Sequence, residues 1–248
     1  MKMLVAALCL LISSCSISPN SCFSPQAPGK IVPPVIQSDT NKFFQNLQDA
    51  TPQIRSNTTT GSGIVIFQDQ QFSYILTDRH VIDCDFDFPK NVQIFPTLRP
   101  LGLEWEAETG EPVDGEVLAI SDLIYDLALI RSTHHFRHVV TFTPKLPFVG
   151  TPVYVAGCPK GGPVMITHGI VTRFDIHWKK ECLFINSDCL TTIGMSGGGM
   201  YLQDGTCVGI TQLIFYSQQG VGNFHASLSG ATVKSWLNSV GYGKLMTP

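Results

Sequence analysis

The chain has 248 residues, 44% of them hydrophobic and only 14% charged, enough for one large or two small packed cores. A net charge of −3 and a lone lysine pair, Lys179-Lys180, exclude the basic field that nucleic acid requires. With 22 glycines and 16 prolines breaking runs of Val, Ile, Phe and Thr, the composition points to an all-β fold.

Met1-Lys2 is followed by ten apolar residues, Met3 to Ile12. That run is too short to span a bilayer and suits the apolar region of a signal peptide over residues 1–14. Ile12-Ser13-Ser14-Cys15 resembles a bacterial lipobox, in which the cysteine thiol receives a diacylglyceryl group and the chain is cut before it. The other reading is a plain secretory signal cut near Ser18. Both export the protein to the cell envelope or beyond. Lipidation at Cys15 would hold it at a membrane surface without spanning it. Residues 15–40, rich in Ser and Pro, read as a tether.

Asp39-Thr40-Asn41 is expected to cap a short helix from Lys42 to Asp49, which Pro52 ends. Gly61 to Phe67 and Phe72 to Thr77 read as a hairpin around the turn Gln68 to Gln71. His80 stands directly after it, fixed by apolar neighbours. Asp83, Asp85 and Asp87 alternate like the start of a calcium loop. Phe88 and Ile94 occupy the positions where such a loop needs Gly and an acid, so the segment reads as a solvated loop. Val92 to Phe95 and Glu116 to Ile120 are further strands. Asp126 immediately precedes the apolar run Leu127 to Ile130. A carboxylate there is costly unless something polar receives it, and an imidazole N–H is one such partner. Asp122 is the second candidate. His134 and His138 would share a helix face as zinc ligands do, but helix signals are missing, and a polar connector between two halves fits better. The halves are drawn at 41–140 and 141–248.

In the second half, Thr151 to Gly157, Val164 to Thr172, Cys182 to Asn186, Leu213 to Tyr216 and Phe224 to Ala226 read as strands, and Ala231 to Leu237 as a closing helix. Gly194-Met195-Ser196-Gly197-Gly198-Gly199 is a serine among glycines, feeding a hairpin through the turn Asp204-Gly205. Such a loop frees backbone N–H groups to face a point beside a serine hydroxyl, as a nucleophilic serine needs. A Gly-rich turn with an ordinary serine is the plainer alternative.

The order His80, Asp126, Ser196 resembles that of the trypsin-like serine proteases, and among them the high-temperature-requirement (Deg) proteases and bacterial glutamyl endopeptidases. Gly61-Ser62-Gly63-Ile64-Val65-Ile66, Leu76-Thr77-Asp78-Arg79-His80-Val81, Asp126-Leu127-Ala128-Leu129 and Gly194-Met195-Ser196-Gly197-Gly198 match family motifs in order over residues 55–240. The resemblance implies two stacked six-stranded antiparallel β-barrels with a short C-terminal helix. It implies an endopeptidase acting on protein or peptide substrates through Ser196 as nucleophile, His80 as base and Asp126 as the group orienting it. Gly194 and Ser196 would supply the oxyanion hole, and no metal or cofactor is needed. The family usually carries Asn or Asp where Met195 stands and Pro where Gly199 stands. The alternative is a silent or latent protease-like fold that binds an envelope protein. Oligomeric state stays open.

By the same resemblance Leu190 lies at the base of the substrate pocket, so Lys or Arg preference is not expected. Thr191 matches the threonine with which glutamyl endopeptidases help bind a carboxylate, but Thr211 stands where they have histidine. His225 is a candidate substitute. Small or apolar substrate side chains come ahead of glutamate. Loss of Cys9 and lipidation of Cys15 leave six cysteines; Cys182 and Cys189 are the first pair expected to bridge.

Overall fold

A computed structural model of the protein describes residues 38–57, 59–82, 91–96, 98–100, 107–109, 111–177, 182–216 and 223–246. The expected signal peptide, most of the tether, Cys15, and the Asp83 to Asp87 loop lie outside these residues. Among the described residues no helix is long and apolar enough to cross a membrane.

The first helix, α1, runs from Ser38 to Asp49. It begins a turn earlier than its sequence predicts, so Asp39, Thr40 and Asn41 lie inside it. Asp39 then sits in the first turn, where a carboxylate favours the partly positive helix end. Leu47 is buried, and Phe43 packs edge-on to Tyr154 with ring centroids 4.9 Å apart.

Nine strands follow among the described residues of the first half: β1 (Gln53–Arg55), β2 (Thr60–Ser62), β3 (Ile64–Gln68), β4 (Ser73–Asp78), β5 (Asn91–Phe95), β6 (Leu98–Pro100), β7 (Ala107–Thr109), β8 (Val113–Ile120) and β9 (Leu127–Ser132). Seven of them form one antiparallel sheet in the order β2-β1-β5-β8-β9-β4-β3. Its two edge strands, β2 and β3, are separated in the chain by Gly63 alone. The sheet therefore curls until its edges meet at that residue, a half-barrel of seven strands where a closed barrel of six is expected. The β3–β4 turn forms because Asp69 Oδ1 accepts the N–H groups of Gln71 and Phe72, each at 2.8 Å.

The second half is a closed barrel in the order β10-β11-β12-β15-β14-β13. Its strands are β10 (Pro152–Gly157), β11 (Met165–His177), β12 (Cys182–Ser187), β13 (Gly199–Tyr201), β14 (Cys207–Tyr216) and β15 (Asn223–Ser229). A helical turn, α2 (Arg79–Ile82), follows β4, and the last helix is α3 (Gly230–Ser239). Ser229 caps α3, its hydroxyl accepting the Thr232 N–H at 3.3 Å. One apolar cluster joins the two halves, from Ile64, Leu76 and Leu127 to Ala156, Tyr201 and Leu228. The fold is thus the all-β, two-barrel arrangement with a C-terminal helix.

The expected Cys182–Cys189 bridge is not formed; both residues are buried and neither belongs to a disulfide, as is also true of Cys158 and Cys207. Cys182 opens β12 and Cys189 lies beyond its far end. A strand of that length sets them about 20 Å apart, whereas a disulfide needs Cα atoms within about 7 Å.

Candidate active site

β4 delivers its last residue, Asp78, into the core and α2 then turns His80 outward. Across the sheet Asp78 pairs with Leu127, which puts Asp126 opposite the start of α2. Asp126 Oδ2 lies 2.6 Å from His80 Nδ1, and Asp126 Oδ1 accepts the His80 main-chain N–H at 2.9 Å. Both carboxylate oxygens therefore orient one residue. Asp126 holds a left-handed backbone (φ +50°), an uncommon conformation that Asp tolerates better than most. The Asp126 carbonyl accepts the Arg79 N–H at 3.0 Å and the Gln212 side-chain amide, also at 3.0 Å. Asp122, the second candidate, instead shapes the turn. Its Oδ1 accepts the Ile124 N–H and its carbonyl accepts the Asp126 N–H, both at 3.0 Å.

The serine loop belongs to the second barrel but is seated on the first. Ser62, on β2, donates its N–H to the Ser196 carbonyl and its hydroxyl to the Gly194 carbonyl, each at 2.8 Å. The same hydroxyl accepts the Cys158 N–H at 2.7 Å. Gly197 has φ +83° and packs so closely that a Cβ there would strike the Ser62 carbonyl and approach the Thr77 hydroxyl at 2.5 Å. That contact sets the loop against the end of β4, two residues before His80.

Within the loop, Met195 N–H donates to Thr192, Gly197 N–H to Thr211 and Gly198 N–H to Met195. The N–H groups of Gly194 and Ser196 donate to no group among the described residues. The Ile193 carbonyl is tied to the Lys160 N–H at 2.8 Å. Since a trans peptide holds C=O and N–H on opposite sides, the Gly194 N–H points away from Lys160. Two such donors, with one residue between them, are left for water or a ligand oxygen to complete.

The chain belongs to the trypsin-like peptidases. The family model for the trypsin-like peptidase domain matches residues 61–210, more than half of the chain. Solved structures agree in fold. A serine endoprotease from Yersinia pestis is similar with a TM-score of 0.62 at 19% identity, over 83% of this chain and 67% of that one. The inactive form of Rv3671c from M. tuberculosis H37Rv, a serine-to-alanine mutant, gives 0.62 at 19% identity, over 81% and 91%. A second inactive form of the Rv3671c protease gives 0.61 at 20%, over 81% and 93%. No curated protein matches the chain.

Two departures of this trypsin-like chain from its family have a packing cause. Met195 is fully buried among Val153, Val155, Ile185 and Val208. Gly157 makes room for it, because a Cβ on Gly157 would lie 2.8 Å from Met195 Cβ. Gly199 is needed for a similar reason: a Cβ there would run into the Tyr201 ring.

The expected pocket residues divide. Leu190 is 63% exposed, while Thr191, Thr211 and His225 are buried. Thr211 pairs across the sheet with Ser227, whose hydroxyl lies 2.8 Å from His225 Nε2, so the three share one face. Thr211 Oγ1 and His225 Nδ1 have no hydrogen-bond partner among the described residues. Burial pushes His225 down to about 3, so the ring is uncharged. Unfolding frees it to take a proton, so stability should fall as pH drops from the ordinary histidine range of about 6.5. Urea midpoints that stay flat between about pH 7 and pH 5, with His225→Gln behaving as wild type, would contradict this.

The oxygen and nitrogen atoms of Asp78, His80 and Asp126 come within 4.8 Å of one another. A cation held by all three would force His80 Nδ1 and Asp126 Oδ2 apart, since two ligand atoms at about 2 Å from one ion cannot also sit 2.6 Å from each other at tetrahedral angles. Residues that the sequence reading missed are Ser62, Asp78 and Gln212. Ser62 lies in a quoted motif between two glycines, a sign of close backbone approach. Asp78 is an acid at the buried end of β4, directly after the apolar pair Ile75-Leu76 and Thr77.

Proposed function

We propose that the protein is an exported serine endopeptidase with His80, Asp126 and Ser196 as its triad. The observation that carries this reading is the double engagement of Asp126 with His80, beside a serine loop with two unpaired N–H groups. Ser196 Oγ attacks the scissile carbonyl carbon while His80 Nε2 takes its proton. The oxyanion is met by the N–H groups of Gly194 and Ser196. Asp126 keeps the other ring proton on Nδ1 and steadies the imidazolium. His80 then protonates the leaving amine, and water enters to hydrolyse the acyl-enzyme by the same steps in reverse order. Export rests on the apolar run Met3 to Ile12, and surface anchoring on Cys15.

The substrate pocket favours small or apolar side chains. Leu190 supplies no charge, and uncharged His225 gives an acidic side chain no counter-ion. The test is to incubate the purified chain and its Ser196→Ala variant with casein and to map cuts by mass spectrometry. Cutting by wild type alone, after small or apolar residues, is expected. Equal cutting by both would remove Ser196 from the mechanism, and cuts after Glu would overturn the pocket reading.

A further inference from the structure

Behind His80 lies a second acid that the triad does not use. Asp78 is fully buried, and neither of its carboxyl oxygens has a well-aligned hydrogen-bond partner among the described residues. The Gln212 side-chain amide and the Gly197 N–H face it and partly offset the rise of its pKa, but both are aligned on other acceptors. The Gln212 amide donates to the carbonyls of Tyr125 and Asp126, and the Gly197 N–H donates to Thr211. Its Oδ2 is 4.0 Å from His80 Nδ1, and the Asp126 carboxylate shares the same small space.

We propose that Asp78 is a positioning residue of this site, a buried acid paired with Asp126 whose protonation state sets how strongly His80 is held as a cation. The proposal rests on the protease reading. The charged and titratable groups around Asp78 are few. Arg79 and His80 follow it in the chain, and the Arg79 guanidinium turns away to the Ser121 carbonyl at 2.8 Å. Asp126 faces it from the turn before β9. From the second barrel come the neutral Gln212 amide on β14 and the Gly197 N–H.

The direction of the effect follows from these neighbours. Burial first, and the Asp126 charge second, hold the Asp78 carboxyl well above the usual carboxylate range. The protonated form of Asp78 is thereby favoured, and in that form the site has one negative charge. At higher pH that proton passes to water and a second carboxylate appears beside Nδ1. When Ser196 gives its proton to His80, the imidazolium then faces two negative charges in place of one. The transition state gains more than the neutral-imidazole ground state, so the rate rises. Asp78 touches neither substrate nor reacting atoms; it acts through His80.

Two measurements test this. The first follows the His80 ring resonances against pH in the full chain carrying Ser196→Ala, with and without Asp78→Asn. Two coupled steps are expected with Asp78 present and one step with Asn. The second is the pH profile of kcat/KM for chains with an intact Ser196. An alkaline rise carried by kcat is expected in wild type and lost in Asp78→Asn. A single, identical His80 titration in both chains overturns the proposal. If Asp78→Asn does not fold, the 13C shift of the Asp78 carboxyl in the unaltered chain decides: a protonated carboxyl at neutral pH supports the proposal, an ionised one ends it. The ring titration needs no turnover. Two steps without any cutting would sink the protease reading alone, and cutting with one step would sink only the role of Asp78.

Discussion

Asp126→Asn should lower kcat about ten-thousand-fold while leaving the fold intact. The cause is the double engagement. The His80 main-chain N–H can only donate, so the single oxygen of Asn must face it at the place of Oδ1. The Asn NH2 is then turned toward Nδ1. Two donors cannot share that contact, so the ring proton moves to Nε2, and the nitrogen facing the serine has no lone pair to accept with. Asn also tolerates the left-handed backbone at this position, so the turn survives. Asp122→Asn keeps an acceptor oxygen for the Ile124 N–H and should cut as wild type does. Steady-state kinetics on a peptide ester decides; full activity of Asp126→Asn with a dead Asp122→Asn would exchange the two acids.

Met195→Asp should unfold or inactivate the chain, although it installs a residue common in the family. Met195 has no exposed surface and its neighbours are Val153, Val155, Ile185 and Val208. The change removes apolar burial and sets a carboxylate among groups that cannot hydrogen-bond to it. The two losses together come to at least about 3 kcal/mol. Because Ser196 is the next residue, any shift that hydrates the new carboxylate also moves the nucleophile. Urea denaturation reads the first effect and labelling of Ser196 by a fluorophosphonate reads the second. A variant as stable and as reactive as wild type would mean that the loop does not depend on this anchor.

The triad candidates were legible in the sequence because each stands at the border of a strongly patterned strand. His80 follows the apolar run of β4, Asp126 precedes that of β9, and Ser196 sits in a run of glycines before β13. That Asp126, and not Asp122, meets His80 was legible too, since only Asp126 abuts the strand. What pattern could not reveal is contact at long separation. Ser62 meets Gly194 across 132 residues, and Gln212 reaches Asp126 across 86; nothing local marks either side chain. The cysteine pairing failed for a related reason. Spacing in sequence was read as nearness, but an intervening strand keeps Cys182 and Cys189 apart. The early start of α1 shows the ordinary weakness of cap signals when several capping residues stand in a row.

Ser62 ties the finished halves together: its N–H and its hydroxyl make three hydrogen bonds to backbone groups of the second half. During biosynthesis the first barrel emerges from the ribosome long before residue 194 exists. The second barrel closes only when β15, near the end of the chain, pairs with β12 and β14. The serine loop is therefore the last part of the proposed site to be organised, and on the protease reading a nascent or truncated chain has no formed nucleophile with which to damage itself or its neighbours.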